Sequence, residues 1–325
     1  MPLGRLGSIL RRLGSTEIEV SPIGLGCWQF SGGGPATLFW QLLSQSVVDD
    51  IVRTALENGI NWFDTAELYG GGRSEKSLAK ALSNASVTNG DVVIATKWNP
   101  ILRGARSIIS TFHKRQQCLL PFRVDLYQIH HPVAIATLRS QIDAMTSLMS
   151  QGKIKAVGVS NFSARLMRRS YELLSERGFS LASNQVKFNL LHRQIEHNGV
   201  LEAAKELNIM LIAYSPLAQG LLTGKFHKNP KLINDLPLVR RMQLGRMIEK
   251  TNSLVVVLEE IAKSHSCSIS EVALSWVINY HGDSIIAIPG ATKSEHVKQN
   301  AGAMSLQLSI AEMVRIDEVS RTIQL

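Results

Sequence analysis

The sequence predicts an α/β fold, a closed (β/α)8 TIM barrel with an N-terminal β-hairpin and extra C-terminal helices. Apolar, β-branched runs alternate with helical stretches along most of the 325 residues, and the stretches between runs are long enough for parallel crossovers. Eight such runs occur. Three successive ones end in an acid, a base and an imidazole, at Asp64, Lys97 and His130. If those strands are parallel neighbours, the three groups share the C-terminal rim, where barrel active sites are built.

In chain order, residues 13–22 alternate loosely around Ile18 and Val20, with Gly14 and Ser15 as turn residues, and read as a hairpin. Residues 23–28 form the first barrel strand. Its glycines suggest a dinucleotide fingerprint, but Gln29 holds the last position and no acid ends the next strand, so that motif is rejected. Further strands are expected at 60–63, 91–97, 124–130, 154–159, 181–188, 209–214 and 284–289. Helices are expected near 47–57, 74–82, 107–119, 138–150, 164–176, 199–207 and 253–264. Residues 219–245 interrupt the alternation with a long basic stretch rich in Gly, Asn and Pro, the kind of loop that is usually functional or mobile. An added helix over 267–279 starts at Ser270 and Glu271 with Trp276 inside. A last one over 309–321 places Ile310, Val314 and Ile316 on a shared face against the barrel wall. Residues 1–12 read as a basic tail and 13–325 as one domain.

A hydrophobic content of 45% supplies a large core, and the net charge of +9 is dispersed rather than gathered on a helix with interleaved aromatics. That pattern favours a solvated surface over a nucleic-acid partner. Cys27, Cys118 and Cys267 stand far apart, and His192 and His197 lack the HExxH spacing, so neither a disulfide framework nor a metal site is expected. No apolar run reaches the ~18 residues of a membrane span. The N-terminus carries Arg5, Arg11 and Arg12 with no acid before Glu17, which reads as a basic tail rather than an organellar leader, and the protein as cytoplasmic. Oligomeric state leaves no trace in the sequence.

Tyr69 lies in the loop after Asp64, before Gly70-Gly71-Gly72 breaks regular structure. Taken alone, the pair is as well read as a turn carboxylate and a half-buried loop tyrosine. Together with Lys97 and His130 it becomes a chemical set. A free phenol has a pKa near ~10, and a neighbouring ammonium lowers it. Asp64 supplies the counter-ion, so Tyr69, Lys97 and Asp64 make a tuned general acid, with His130 as a donor to a carbonyl oxygen.

At these residues the chain resembles the aldo-keto reductase family. The matching pieces are Phe63-Asp64-Thr65-Ala66-Glu67-Leu68-Tyr69-Gly70, Ala95-Thr96-Lys97, Asp125-Leu126-Tyr127-Gln128-Ile129-His130-His131-Pro132, Gly158-Val159-Ser160-Asn161-Phe162 and Ala213-Tyr214-Ser215-Pro216-Leu217. The resemblance implies reduction of an aldehyde or ketone, a small-molecule carbonyl substrate, by NADPH, with Tyr69 as proton donor. It gives Ser160, Asn161 and Gln185 to the nicotinamide carboxamide and Tyr214 to stacking on the ring. Ser215, Leu217, Gln219, Gly220 and Lys225 become the pyrophosphate strap, a segment that is not a Walker A loop. Lys293 takes the 2′-phosphate and Asn300 the adenine. His296 stands where the family usually has Arg or Gln, and Gln299 where it usually has an acid, so NADH remains possible with weaker preference. Trp28, Trp98 and His131, joined by Phe39 and Trp40, are the expected pocket walls. Two other functions compete: an NADPH-binding regulatory subunit with little turnover, resembling channel-associated relatives, and a Schiff-base lyase using Lys97.

Overall fold

The computed structural model describes residues 10–33 and 42–323. A two-stranded antiparallel hairpin comes first, β1 (Arg11–Arg12) paired with β2 (Glu19–Val20). Eight parallel strands follow: β3 (Leu25–Gly26), β4 (Trp62–Asp64), β5 (Val93–Trp98), β6 (Leu126–Ile129), β7 (Ala156–Ser160), β8 (Leu181–Lys187), β9 (Met210–Tyr214) and β10 (Ile285–Ile288). They pair in sequence order, and parallel bridges Ile23–Ala287 and Gly26–Gly290 join the last strand to the first, closing the barrel.

Around it lie α1 (Gln45–Glu57), α2 (Arg73–Asn84), α3 (Arg106–Leu119), α4 (Leu138–Ser150), α5 (Ala164–Ser175) and α6 (Val200–Glu206). Beyond β9 come α7 (Lys225–Lys228), α8 (Leu238–Gly245), α9 (Ile248–Ser264) and α10 (Ile269–Asn279), and after β10 come α11 (Ser294–Gly302) and α12 (Ile310–Arg321). Ser44, Thr137 and Ser163 cap α1, α4 and α5 by accepting from backbone N–H groups of the first turn. The cap of α10 is Ser268, in a capping box with Glu271, two residues before the start read from the sequence.

Two apolar layers result. One lies between strands and helices. The other fills the barrel, where Trp62, Ala95, Leu126 and Ala156 pack with Leu13, Ile18 and Val20 of the hairpin. Side chains alternate along a strand, so the residues two positions on, Asp64, Lys97, Gln128 and Gly158, form the next layer toward the rim. Gly158 makes room there: a Cβ on it would lie 2.5 Å from Ser183 Oγ and 3.0 Å from Gln128 Cγ. The site therefore rests on a dry floor.

Three expectations change. Arg11 is no tail residue: it is buried, donates to the carbonyls of Ile278 and Ile285 at 2.5 and 2.6 Å, and pairs with Asp283 at 3.0 Å. A guanidinium there satisfies carbonyls between α10 and β10. The rest of the expected tail, residues 1–9, lies outside the described residues, as do Phe39 and Trp40. The 219–245 stretch is not an irregular loop but a chain of short helical turns including α7 and α8. On α12, Ile316 is buried while Ile310 and Val314 face out. Six residues is about 240° of helix, so Ile316 never shared their face. No helix among the described residues is long and apolar enough to cross a membrane, and no cluster there could hold a metal.

Candidate active site

The rim opens into a cleft of about 1120 Å³. At its base, Asp64 ends β4 and receives three donors. Lys97 Nζ bonds its Oδ1, and the amides of Gln128 and Gln185 donate to Oδ2 at 3.0 and 2.9 Å. The ammonium also donates to the Thr65 carbonyl at 2.9 Å, and it lies 5.0 Å from the centre of the Tyr69 ring. Lys97 is fully buried beside an almost fully buried carboxylate, a burial tolerable only because each group is paired and hydrogen-bonded. Burial pulls the lysine pKa down, but Asp64 and the phenol outweigh it and the net shift is upward. A Schiff-base lysine needs a neutral amine, so this environment opposes the lyase alternative.

Tyr69 departs from its expectation. Burial pushes the phenol above its ordinary pKa, and Lys97 recovers part of that shift without reversing it. At neutral pH the residue therefore holds its proton. The loop that carries it is fixed by Glu67, which accepts from the Asn99 backbone N–H at 2.7 Å and from Arg103 at 2.6 Å. His130 presents its ring edge to Tyr69 at 6.0 Å and stacks on His131 at 4.7 Å. Burial, then Lys97 and His131, force the His130 pKa down to about 2, so the ring is neutral. Its Nδ1 is buried without a partner, which leaves Nε2 to meet a ligand oxygen. Trp28 lies 6.3 Å from Tyr69 and, with His131, lines the cleft.

Trp98 does not line it. The residue is fully buried between barrel and helices, with Nε1 donating to Ser107 Oγ at 3.0 Å. Strand alternation explains this: Lys97 points inward, so Trp98 points out.

Ser160, Asn161, Gln185 and Tyr214 line the same cleft. The Tyr214 hydroxyl donates to Asn161 Oδ1 at 3.0 Å, and Asn161 Nδ2 donates to Ser160 Oγ at 3.1 Å. Gln185 spends its NH₂ group on Asp64 and on Gln128 Oε1 at 3.3 Å, so its own carbonyl oxygen is the atom free to accept. Ser215, Leu217, Gln219, Gly220 and Lys225 follow along the cleft, and Lys293 and Asn300 line its far end. Lys293 is the N-cap residue of α11. Thus, among the described residues, the structure gathers the site residues singled out from the sequence, Trp98 excepted, on the cleft or, for Lys97, directly behind it. Glu295 also lines the cleft.

Two residues escaped the sequence reading. Gln128 holds Asp64 yet looks like one neutral amide in an apolar run. Arg240, on α8, reaches the cleft, donates to the Gln219 carbonyl at 2.6 Å, and is pulled down to about 10 by burial. Its only signal was the basic character of 219–245. With Lys225, Lys293 and His296 it makes an electropositive end: burial lowers the Lys225 and His296 pKa values, and neighbouring cations lower them further. Such a cluster suits an anionic ligand, and the cleft as a whole fits a long dinucleotide.

A parallel barrel with its acid, base and phenol at the C-terminal rim defines a barrel enzyme with a proton donor at its rim. The family model described as "Aldo/keto reductase family" matches residues 22–321, and the chain belongs to that family, whose enzymes act on small-molecule carbonyl compounds with a nicotinamide cofactor. An uncharacterized oxidoreductase of Mycobacterium tuberculosis is 35% identical over 306 residues, covering 93% of this chain and 90% of the relative. The chloroplastic pyridoxal reductase of Arabidopsis thaliana is 31% identical over 317 residues, covering 94% and 84%. Among solved structures, a thermostable aldo-keto reductase in complex with the inhibitor epalrestat superposes with a TM-score of 0.76 at 30% identity, covering 96% of this chain and 99% of that one. An aldo-keto reductase from Klebsiella pneumoniae in complex with NADPH gives 0.72 at 25% identity, covering 96% and 95%.

Proposed function

We propose that the protein reduces an aldehyde or ketone to an alcohol, with hydride from NADPH and a proton from Tyr69. The observation that carries this is the buried Asp64–Lys97 pair set against the phenol. Bound NADPH supplies the hydride to the carbonyl carbon. Ser160, Asn161 and the Gln185 carbonyl would hold the carboxamide, and Tyr214 offers its ring face to the nicotinamide. Ser215, Leu217, Gln219, Gly220 and Lys225 would strap the pyrophosphate, while Lys293 and Arg240 meet the 2′-phosphate and Asn300 the adenine.

Tyr69 is protonated when the substrate arrives and gives up its proton as charge develops on the carbonyl oxygen. The phenolate left behind is stabilised by Lys97, whose charge Asp64 fixes. His130, kept neutral, donates from Nε2 to the same oxygen and adds no charge that would compete with the proton transfer. Trp28 and the stacked histidines present flat faces, which suit an aromatic aldehyde. The Arabidopsis relative is a pyridoxal reductase, which makes pyridoxal a first compound to try.

The test is NADPH consumption against a panel of aldehydes, ketoses and pyridoxal. Turnover of at least one carbonyl is expected. Tight NADPH binding with no oxidation by any of them would point to a regulatory subunit instead.

A further inference from the structure

A second cavity, of about 620 Å³, shares a wall with the cleft, because Ser215 and Gln219 line both. That wall is strained: Ser215, Ala218 and Gln219 all have positive φ, at 51, 47 and 56°, a conformation non-glycine residues adopt at a cost. The titratable groups lining the second cavity are Lys187, His192, Arg246 and Lys250, all bases. Met242, Leu244 and Met247 give it an apolar side.

Lys187 is the last residue of β8, so the barrel fixes its position. Its Nζ lies 2.9 Å from His192 Nε2. The other ring nitrogen, Nδ1, faces Asn189 Oδ1 at 3.4 Å, and the Asn189 amide is oriented by its Nδ2 donating to the Ser215 carbonyl at 2.9 Å. Nδ1 therefore carries the ring hydrogen, and Nε2 accepts from the ammonium. Burial lowers the Lys187 pKa with no carboxylate acting against it, and burial with Lys187 brings His192 down to about 4. A partly desolvated ammonium leaning on a neutral imidazole is a pair that an anion would complete.

The geometry points to a binding site for a small organic anion, a single phosphate or carboxylate on an apolar body. The charged group sits between Lys187 and Arg246, and the apolar body lies against Met242, Leu244 and Met247. This site is separate from the carbonyl-reducing cleft and does not depend on the reading of that cleft.

The experiment is calorimetric titration of phenyl phosphate, and separately benzoate, into the full chain, wild type, the double variant Lys187→Gln/Arg246→Gln, and Lys293→Ala. Binding of at least one probe is expected to weaken roughly ten- to a hundredfold in the double variant, as for loss of one or two charge-assisted contacts. It should be unchanged in Lys293→Ala, and the probe that binds identifies the headgroup. Lys187 and Arg246 are exposed, and the two single variants serve if the double one melts early. Three results overturn the proposal: no binding of either probe by the wild type at millimolar concentration, binding that survives the double variant, or binding lost in Lys293→Ala. The last would place the anion at the far end of the cleft.

Discussion

Deleting the charge of Lys97 separates its part in the fold from its part in the chemistry. Lys97→Met keeps most of the side-chain volume and leaves Asp64 held only by Gln128 and Gln185. Removing one partner of a buried ion pair costs on the order of 3–5 kcal/mol. Because two amide donors remain on the carboxylate, the lower end is expected, about 3 kcal/mol. At roughly 2–4 °C per kcal/mol for domains approaching this size, the melting temperature should fall by about 6–12 °C. The double variant Asp64→Asn/Lys97→Met has no buried charge left to strand and should recover most of that loss. Turnover should behave otherwise. The phenol loses its ammonium in both variants, so both should lose roughly 10²–10⁴ in kcat. Thermal melts and steady-state rates with NADPH and a responsive aldehyde measure the two effects side by side. Recovery of turnover together with stability in the double variant would refute the reasoning, since Lys97 would then act only by holding the fold. A single variant that melts like the wild type would refute the stability half.

Tyr69→Phe should lower turnover by roughly 10² to 10⁴ and leave NADPH affinity, measured by fluorescence quenching, little changed; near-normal turnover would remove Tyr69 from its role. Burial raises the Tyr69 pKa and the protonated form is the active one in the proposed mechanism, so the reduction rate should be flat through neutrality and fall only as pH rises beyond the ordinary phenol range near ~10. Lys293→Ala should raise the Michaelis constant for NADPH about ten- to a hundredfold and barely move that for NADH; an unchanged NADPH value would place the phosphate elsewhere. Limited proteolysis should cut between Phe226 and Arg246 faster without NADPH than with it, and equal rates would argue against a strap that closes over the cofactor.

The barrel was legible because its strands are apolar runs and because Asp64, Lys97 and His130 interrupt those runs at their ends. Their placement on one rim followed from parallel order alone. Trp98 was misplaced by treating nearness in sequence as nearness in space; a residue beside an inward lysine faces the helices. Gln128 was hidden because a neutral amide in a strand carries no signal until its partner is known. Arg240 depends on how α7 and α8 turn, and that region lacks a clean helical period. Burial, Lys225 and Lys293 lower the His296 pKa, a shift that no reading of the residue's type could supply. Any histidine-dependent gain in NADPH preference therefore belongs below the ordinary histidine range.

The hairpin that fills the floor of the barrel sets the traffic through it. With Leu13, Ile18 and Val20 packed beneath the strands, the barrel is a blind well, and everything that reaches Asp64 enters and leaves by one mouth. Gln185 touches Asp64 itself, so a ligand resting on Gln185 occupies the bottom of that well. A carbonyl compound lodged first against Tyr69 and Trp28 would obstruct the way down. On the proposed reading the queue would be compulsory: the dinucleotide would descend first and depart last, and the alcohol would have to clear the mouth before the oxidised carrier could be exchanged.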